Sequence, residues 1–281
     1  MLWEHRLHDE VVRSINAIEM STLGIAISGG VDSALLAKAC HDAGKKLSLL
    51  TIATPGSHDI RLATPLAQLL HLPLYHKVIP LLDLEPVLQQ VISIITFDRL
   101  ALLENSVCFY YVFALASELH LDTVLSANGM DELFGGYAVF QREYSPDEKI
   151  MRELMRTLIF TAQSDKAEID KIARLFNITY TCPFLSRSFT ELALTIPLDQ
   201  AITNKNDNVR KHVVRNVALL LGVPRSTALQ RKKAFQYSSG IHKSLQQLAR
   251  NRGYTRRNAQ EAGFSGAIEA YMSGLKQDIG R

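Results

Sequence analysis

The sequence predicts an α/β fold: a parallel sheet with helices on both faces, followed by a helical C-terminal region. Three observations predict it. Strand-like apolar runs alternate with helix-length segments through the first half of the chain. The first of these runs passes directly into a glycine pair and a helix, "GIAISGGVDSALLAKAC" over 24–40. After about residue 145 the strand signal stops, and the segments become helical and more basic.

The elements follow in order. Residues 1–20 carry apolar positions at helical spacing among charges, which predicts an amphipathic N-terminal helix and not a secretory signal. "LGIAI" (23–27) is a strand, and "SALLAKACHDA" (33–43) a helix closed by Gly44. "LSLLTIA" (47–53) is a second strand, and "TPGSHD" (54–59) has turn chemistry. "IRLATPLAQLL" (60–70) is a helix that Pro65 can bend. "LYHKVIP" (74–80) is a third strand, 84–95 and 105–119 are helices, and "DTVLSA" (122–127) is a fourth strand. No further strand is expected beyond it. Residues 21–200 are expected to form the α/β body, and 201–281 a basic helical extension packed on it.

Bulk properties exclude several classes. Of 281 residues, 47% are apolar and 21% charged, ordinary globular values. The apolar runs fall short of the roughly 20 residues a membrane helix needs, so no membrane partner is expected. The 3 cysteines, Cys40, Cys108 and Cys182, are far apart and form no CxxC pair. That argues against a disulfide framework or a zinc site and for a reducing cytoplasm. None of the 9 histidines has metal-ligand spacing. Net charge is only +3, yet residues 205–257 hold 13 Lys and Arg against one acid, Asp207. Such a stretch suits an anionic partner, or a solvated basic helix face.

The glycine turn has a chemical reading of its own. Ligands of open parallel sheets bind at the carboxyl ends of strands. There, Gly29 and Gly30 let the backbone approach a ligand, and the N–H groups of the turn and helix start form an anion nest. Ser28 and Ser33 add hydroxyl donors. Asp32 would repel phosphate unless a cation intervened, which predicts a magnesium ion bridging Asp32 to phosphate oxygens. Neither G-x-x-x-x-G-K-[ST] nor G-x-G-x-x-G is present at this junction, so the turn is neither a Walker loop nor a dinucleotide fingerprint. Asp131 sits in a second glycine-flanked loop, after the fourth strand, and can supply magnesium with a second carboxylate.

"SGGVDS" (28–33) resembles the pyrophosphate-binding loop of the PP-loop ATP pyrophosphatases. A second segment, "LSANGMDELFGGY" (125–137), resembles the "SGEGSDELFGGY" of asparagine synthetases. "TPGSHD" resembles their "LPGSPD", and "CPFLSRSFTELALTIP" (182–197) their "PFLDRRLVEFALSLP". "RKKAFQYSSGI" (231–241) resembles their C-terminal R-x-K segment. The matches run in family order over about residues 22–245.

The resemblance implies a PP-loop fold and an ATP-dependent ligase using ATP and magnesium. Such an enzyme activates a carboxylate as acyl-AMP, releases pyrophosphate and forms an amide with a nitrogen nucleophile. It implies that Asp32 and Asp131 hold the metal, and that Ile27, Ile52, Ser126 and Ala127 surround adenine. It also implies that Lys233 stabilises charge during adenylation, with Arg231 and Arg187 as weaker candidates. Gly135 and Gly136 would allow a tight turn, and Tyr137 reads equally as packing or function.

The sequence departs from the family in four places. Leu2 follows Met1 where an N-terminal cysteine nucleophile and its glutaminase domain would be expected. The expectation is therefore free ammonia, a separate glutaminase subunit or another nucleophile as nitrogen source. The family glutamate that helps deprotonate the incoming nitrogen is Asn128, which cannot act as a base. The aspartate of "PFLD" is Ser186. The basic tail "LARNRGYTRRNAQ" suits RNA contact as well as a solvated helix, so a tRNA substrate is one alternative and a non-catalytic nucleotide-binding subunit another. A homo-oligomer is expected.

Overall fold

The computed structural model describes residues 2–57, 59–230 and 234–279. The N-terminal half contains α1 (Leu2–Asn16), β1 (Thr22–Ala26), α2 (Val31–Asp42), β2 (Lys46–Ala53), α3 (Asp59–Leu69), β3 (Leu74–Val78), α4 (Leu81–Ile94), α5 (Leu100–Glu118) and β4 (Thr123–Leu125). There follow α6 (Met130–Leu133), α7 (Val139–Arg142), α8 (Glu148–Leu175), β5 (Thr179–Thr181), α9 (Arg187–Ala193), α10 (His212–Leu220), α11 (Arg225–Ala228), α12 (Phe235–Ser238), α13 (Ile241–Asn251), α14 (Arg256–Glu261) and α15 (Ala267–Ile279).

The sheet has five strands in the order β3-β2-β1-β4-β5, and every described pairing is parallel. β5 corrects the expectation that no strand follows residue 127. Only three residues long, it is too short to display an alternating pattern, and its identity comes from the partner: Thr123, Val124 and Leu125 pair with Thr179, Tyr180 and Thr181.

Alternation along the strands sends side chains into two cores. Leu23, Ile25 and Ile27 join Leu47, Leu49 and Leu125 against α1, α2, α3 and α10. Ala26, Leu50, Ile52 and Val124 face the other way, against α4, α5 and the C-terminal α13 and α15. Helices cover both faces, as the sequence predicts. α5 is apolar all round because it is buried between the sheet and neighbouring helices. By length and composition it could cross a membrane, unlike what the run lengths suggest, but 67% of its apolar window lies buried inside the fold.

The C-terminal helices are stitched onto this body. Thr54, at the end of β2, donates its N–H to the Ser239 carbonyl at 2.8 Å and its hydroxyl to the same oxygen at 3.2 Å. The Glu85 carboxylate of α4 accepts from Arg252 and from Tyr271, each at 2.5 Å.

Candidate active site

The loops after β1 and β4 meet where the strand order reverses: β1 leads outward to β2 on one side and neighbours β4 on the other. Open parallel sheets form their ligand crevice at such a point, beyond the carboxyl ends of the strands. A cavity of about 230 Å3 opens there. Ser28, Asp32 and Ser33 line it from the first loop, and Ser126, Ala127, Asn128 and Asp131 from the second.

The first loop is tied to the start of α2. The Ser28 N–H donates to Ser33 Oγ at 3.3 Å, the two hydroxyls lie 3.4 Å apart, and the Ser33 hydroxyl donates to the Gly30 carbonyl at 3.2 Å. Gly29 has φ +72°, and a Cβ there would lie 2.4 Å from Leu62 Cβ, so only glycine fits. At Gly30 a Cβ would meet nothing nearer than Ser28 Oγ at 3.5 Å. The fold leaves a side-chain-sized space at Gly30, in the position where a phosphate would approach the backbone.

The predicted carboxylates come together, and a lysine lies between them. Lys211 Nζ is 2.5 Å from Asp32 Oδ2 and 2.5 Å from Asp131 Oδ1, with the lysine 1% exposed. Gly136 permits this approach: a Cβ would lie 1.8 Å from Asp131 Oδ1 and 2.4 Å from Lys211 Cε. Asp32 Oδ1 is buried without a hydrogen-bond partner, an orphaned acceptor suited to a hard cation. Among the described residues, no cluster of three or more His, Cys, Asp or Glu could hold a metal by itself. The unpartnered Asp32 Oδ1, with Asp131 close by, is the donor that would face a divalent cation here.

A tight loop delivers Lys211. The Asp207 carboxylate accepts from the N–H groups of Thr203, Val209 and Arg210 at 2.9–3.0 Å and faces His212 Nε2 at 2.7 Å. Although burial opposes ionisation, these donors hold Asp207 well below the usual carboxylate range. They keep Arg210 and Lys211 left-handed, at φ +51° and +56°, a conformation that is costly for side chains with a Cβ. Arg210 Nε and Nη1 are buried without hydrogen-bond partners. Arg215 spans the loop from below, donating to the carbonyls of Val209, Arg210, Ala228 and Gln230.

The remaining predicted residues are distributed as follows. Ser126 Oγ and Tyr180 Oη are 2.7 Å apart, and Asn128 Nδ2 donates to Tyr180 Oη at 3.2 Å, so β5 positions the residue that stands in place of the family glutamate. Ile27 and Ile52 are fully buried on opposite faces of the sheet, and neither lines the cavity. Tyr137 lines it and donates to Glu132 at 2.6 Å. Gly135 packs near Ile202. Arg187 is exposed and paired with Glu191. Lys233 and Arg231 lie outside the described residues. Ser186 caps α9, accepting from the Phe189 N–H at 3.4 Å.

Several residues escaped the sequence reading. Lys211, Arg210 and Arg215 appear there only as part of a basic stretch. Asp207 is visible as the one acid in that stretch, and the Asx-type "NDN" around it was the available turn signal. Arg99 and Asp165, which line the cavity from α5 and α8, carry no local motif.

The family model described as asparagine synthase matches residues 6–159 and 145–273. The Methanocaldococcus jannaschii protein named "Putative asparagine synthetase (glutamine-hydrolyzing) 1" is 28% identical over 289 residues, covering 92% of this chain and 53% of that one. Asparagine synthetase B (glutamine-hydrolyzing) of Escherichia coli is 26% identical, covering 78% of this chain and 41% of its own. The chain thus spans about half the length, or less, of these relatives. NMN synthetase from Francisella tularensis aligns with TM-score 0.36 and 16% identity over 82% of this chain and 98% of that one, a likeness too slight to build on.

Proposed function

The chain belongs to the asparagine synthase family, and on that premise we propose that it is an ATP-dependent ligase working through an acyl adenylate. The observation that carries this reading is the Asp32–Lys211–Asp131 bridge beside the Ser28–Ser33 loop. In the proposed reaction a substrate carboxylate oxygen attacks the α-phosphorus of ATP. The bond from the α-phosphorus to the bridging oxygen breaks, and pyrophosphate leaves. A nitrogen nucleophile then attacks the acyl carbon, and the C–O bond to AMP breaks.

The chain's residues divide this work. The turn at 28–33 offers backbone N–H groups and two hydroxyls to the phosphates. Asp32 and Asp131 would hold magnesium, which neutralises phosphate charge when bound. Lys211 contributes a fixed cation at the same end, and Arg210 offers unpaired N–H groups to an anion. Lys233 keeps its family role as part of the proposal. Ser126 and Ala127 form the wall for adenine. The acceptor carboxylate and nitrogen donor enter from the rest of the cavity, with nitrogen drawn from free ammonia or a glutaminase partner.

A reducing, cytoplasmic setting suits the three buried thiols. The basic stretch is divided in its bearing on the RNA alternative, since Lys205, Arg225, Lys243, Arg250 and Arg256 are exposed. Lys211 and Arg215 are buried, and Arg252 and Arg257 are paired with Glu85 and Glu261.

Exchange of labelled pyrophosphate into ATP tests the reading. The wild-type chain, given L-aspartate and a panel of other amino-acid carboxylates, is expected to exchange with at least one of them. Asp32→Asn is expected to reduce that exchange by about a hundredfold or more. Undiminished exchange in this variant would remove Asp32 from the mechanism.

A further inference from the structure

Asn128 leaves a chemical question open. An amide-forming step releases a proton from the attacking nitrogen, and a carboxamide cannot take it. The cavity wall contains other candidates. Asp32 and Asp131 face Lys211 at the phosphate end, where the reading above has them hold magnesium. Glu132 accepts from the Gly129 N–H at 3.1 Å and the Tyr137 hydroxyl at 2.6 Å, so it serves the loop geometry. The remaining carboxylate on the described wall is Asp165, on α8.

Resting on the ligase reading above, we propose that Asp165 is the base of the amide-forming step, and that Arg99 is its positioning residue. Arg99, at the start of α5, donates from Nη2 to Asp165 Oδ1, with Nη1 3.5 Å from Oδ2. This fork fixes the carboxylate plane while leaving the side chain 20% exposed on the cavity wall. Asn105 of α5 and Thr161 and Ala162 of α8, the two helices that bring Arg99 and Asp165 together, also line the cavity.

The electrostatics agree with a proton acceptor. Burial raises the Asp165 pKa, aided by Asp98 and Glu168, and outweighs the lowering by Arg99. Asp165 in turn contributes, with Glu132 and Asp131, to the rise in the Tyr137 pKa, although burial is the larger cause.

The step balances. The nitrogen lone pair forms the C–N bond, a nitrogen proton passes to Asp165 Oδ, and the C–O bond to AMP breaks with its electron pair leaving on AMP. Asp165 later returns the proton to water.

Competing nucleophiles test this. Ammonia needs a base during attack. The adduct of hydroxylamine is acidic enough to lose its proton to water. For Asp165→Asn the ratio of hydroxamate to amide formed is expected to rise about a hundredfold, the contribution of a positioned base. Asp165→Glu should bring the ratio part of the way back. A carboxylate that merely ties α5 to α8 would slow both reactions alike, and an unchanged ratio overturns the proposal.

The wild-type chain supplies an independent check if Asp165→Asn does not fold. With each rate corrected for that nucleophile's own free-base fraction, the rate with ammonia should fall as pH is lowered through the Asp165 titration, while the rate with hydroxylamine does not. Parallel profiles overturn the proposal. A wild-type chain that exchanges no pyrophosphate with any carboxylate of the panel overturns the ligase reading itself, before nitrogen enters.

Discussion

At the scale of single residues, Lys211 dominates. A cation with 1% exposure is held by two carboxylates that are themselves mostly buried. Removing one member of such a group leaves charge uncompensated in a medium that solvates it poorly. Lys211→Met is therefore expected to lower unfolding free energy by about 3–5 kcal/mol, measured by urea denaturation. A midpoint equal to wild type would mean that water already screens the pair. Arg215 is a cation of a different kind. Its guanidinium donates to four backbone carbonyls, so it fixes chain geometry.

At the scale of elements, the loop from Thr203 to His212 is the device that aims Lys211. Asp207 is held below its ordinary range by N–H donors that exist only in the folded loop. The sign follows: its stabilisation is complete above the unfolded carboxylate value of about 3.9 and is lost as pH falls below it. Asp207→Asn should flatten the acid limb of the stability curve below about pH 4, followed by thermal melts across pH. An unchanged acid limb would show that another carboxylate controls it. Legibility differs between elements for physical reasons. β1, β2 and the helices around them were readable because buried strands are long apolar runs and the glycine turn punctuates them. β5 was not, since three residues hold no period and the partner strand lies 56 positions away, from Thr123 to Thr179. Within the site, Asp32 and Asp131 were legible from glycine-flanked loops. Lys211 and Asp165 were not, because folding alone brings helix-borne or loop-borne charges to the crevice.

At the scale of the whole molecule, one core joins distant parts of the sequence. Ala26 and Ile52 of the sheet share it with Leu245 and Leu275 of the C-terminal helices. The basic C-terminal third therefore packs on the sheet's own core. Calorimetry and far-UV circular dichroism should give one coincident transition. Two resolved transitions would mean that the C-terminal helices melt separately.

Lys211 pairs with Asp32 across 179 positions of chain. During synthesis Asp32 and Asp131 leave the ribosome before the lysine that lies between them in the folded chain. The bridging cation arrives only when the late-translated loop docks. On the proposed reading, competence to grip nucleotide is therefore among the last properties this polypeptide acquires.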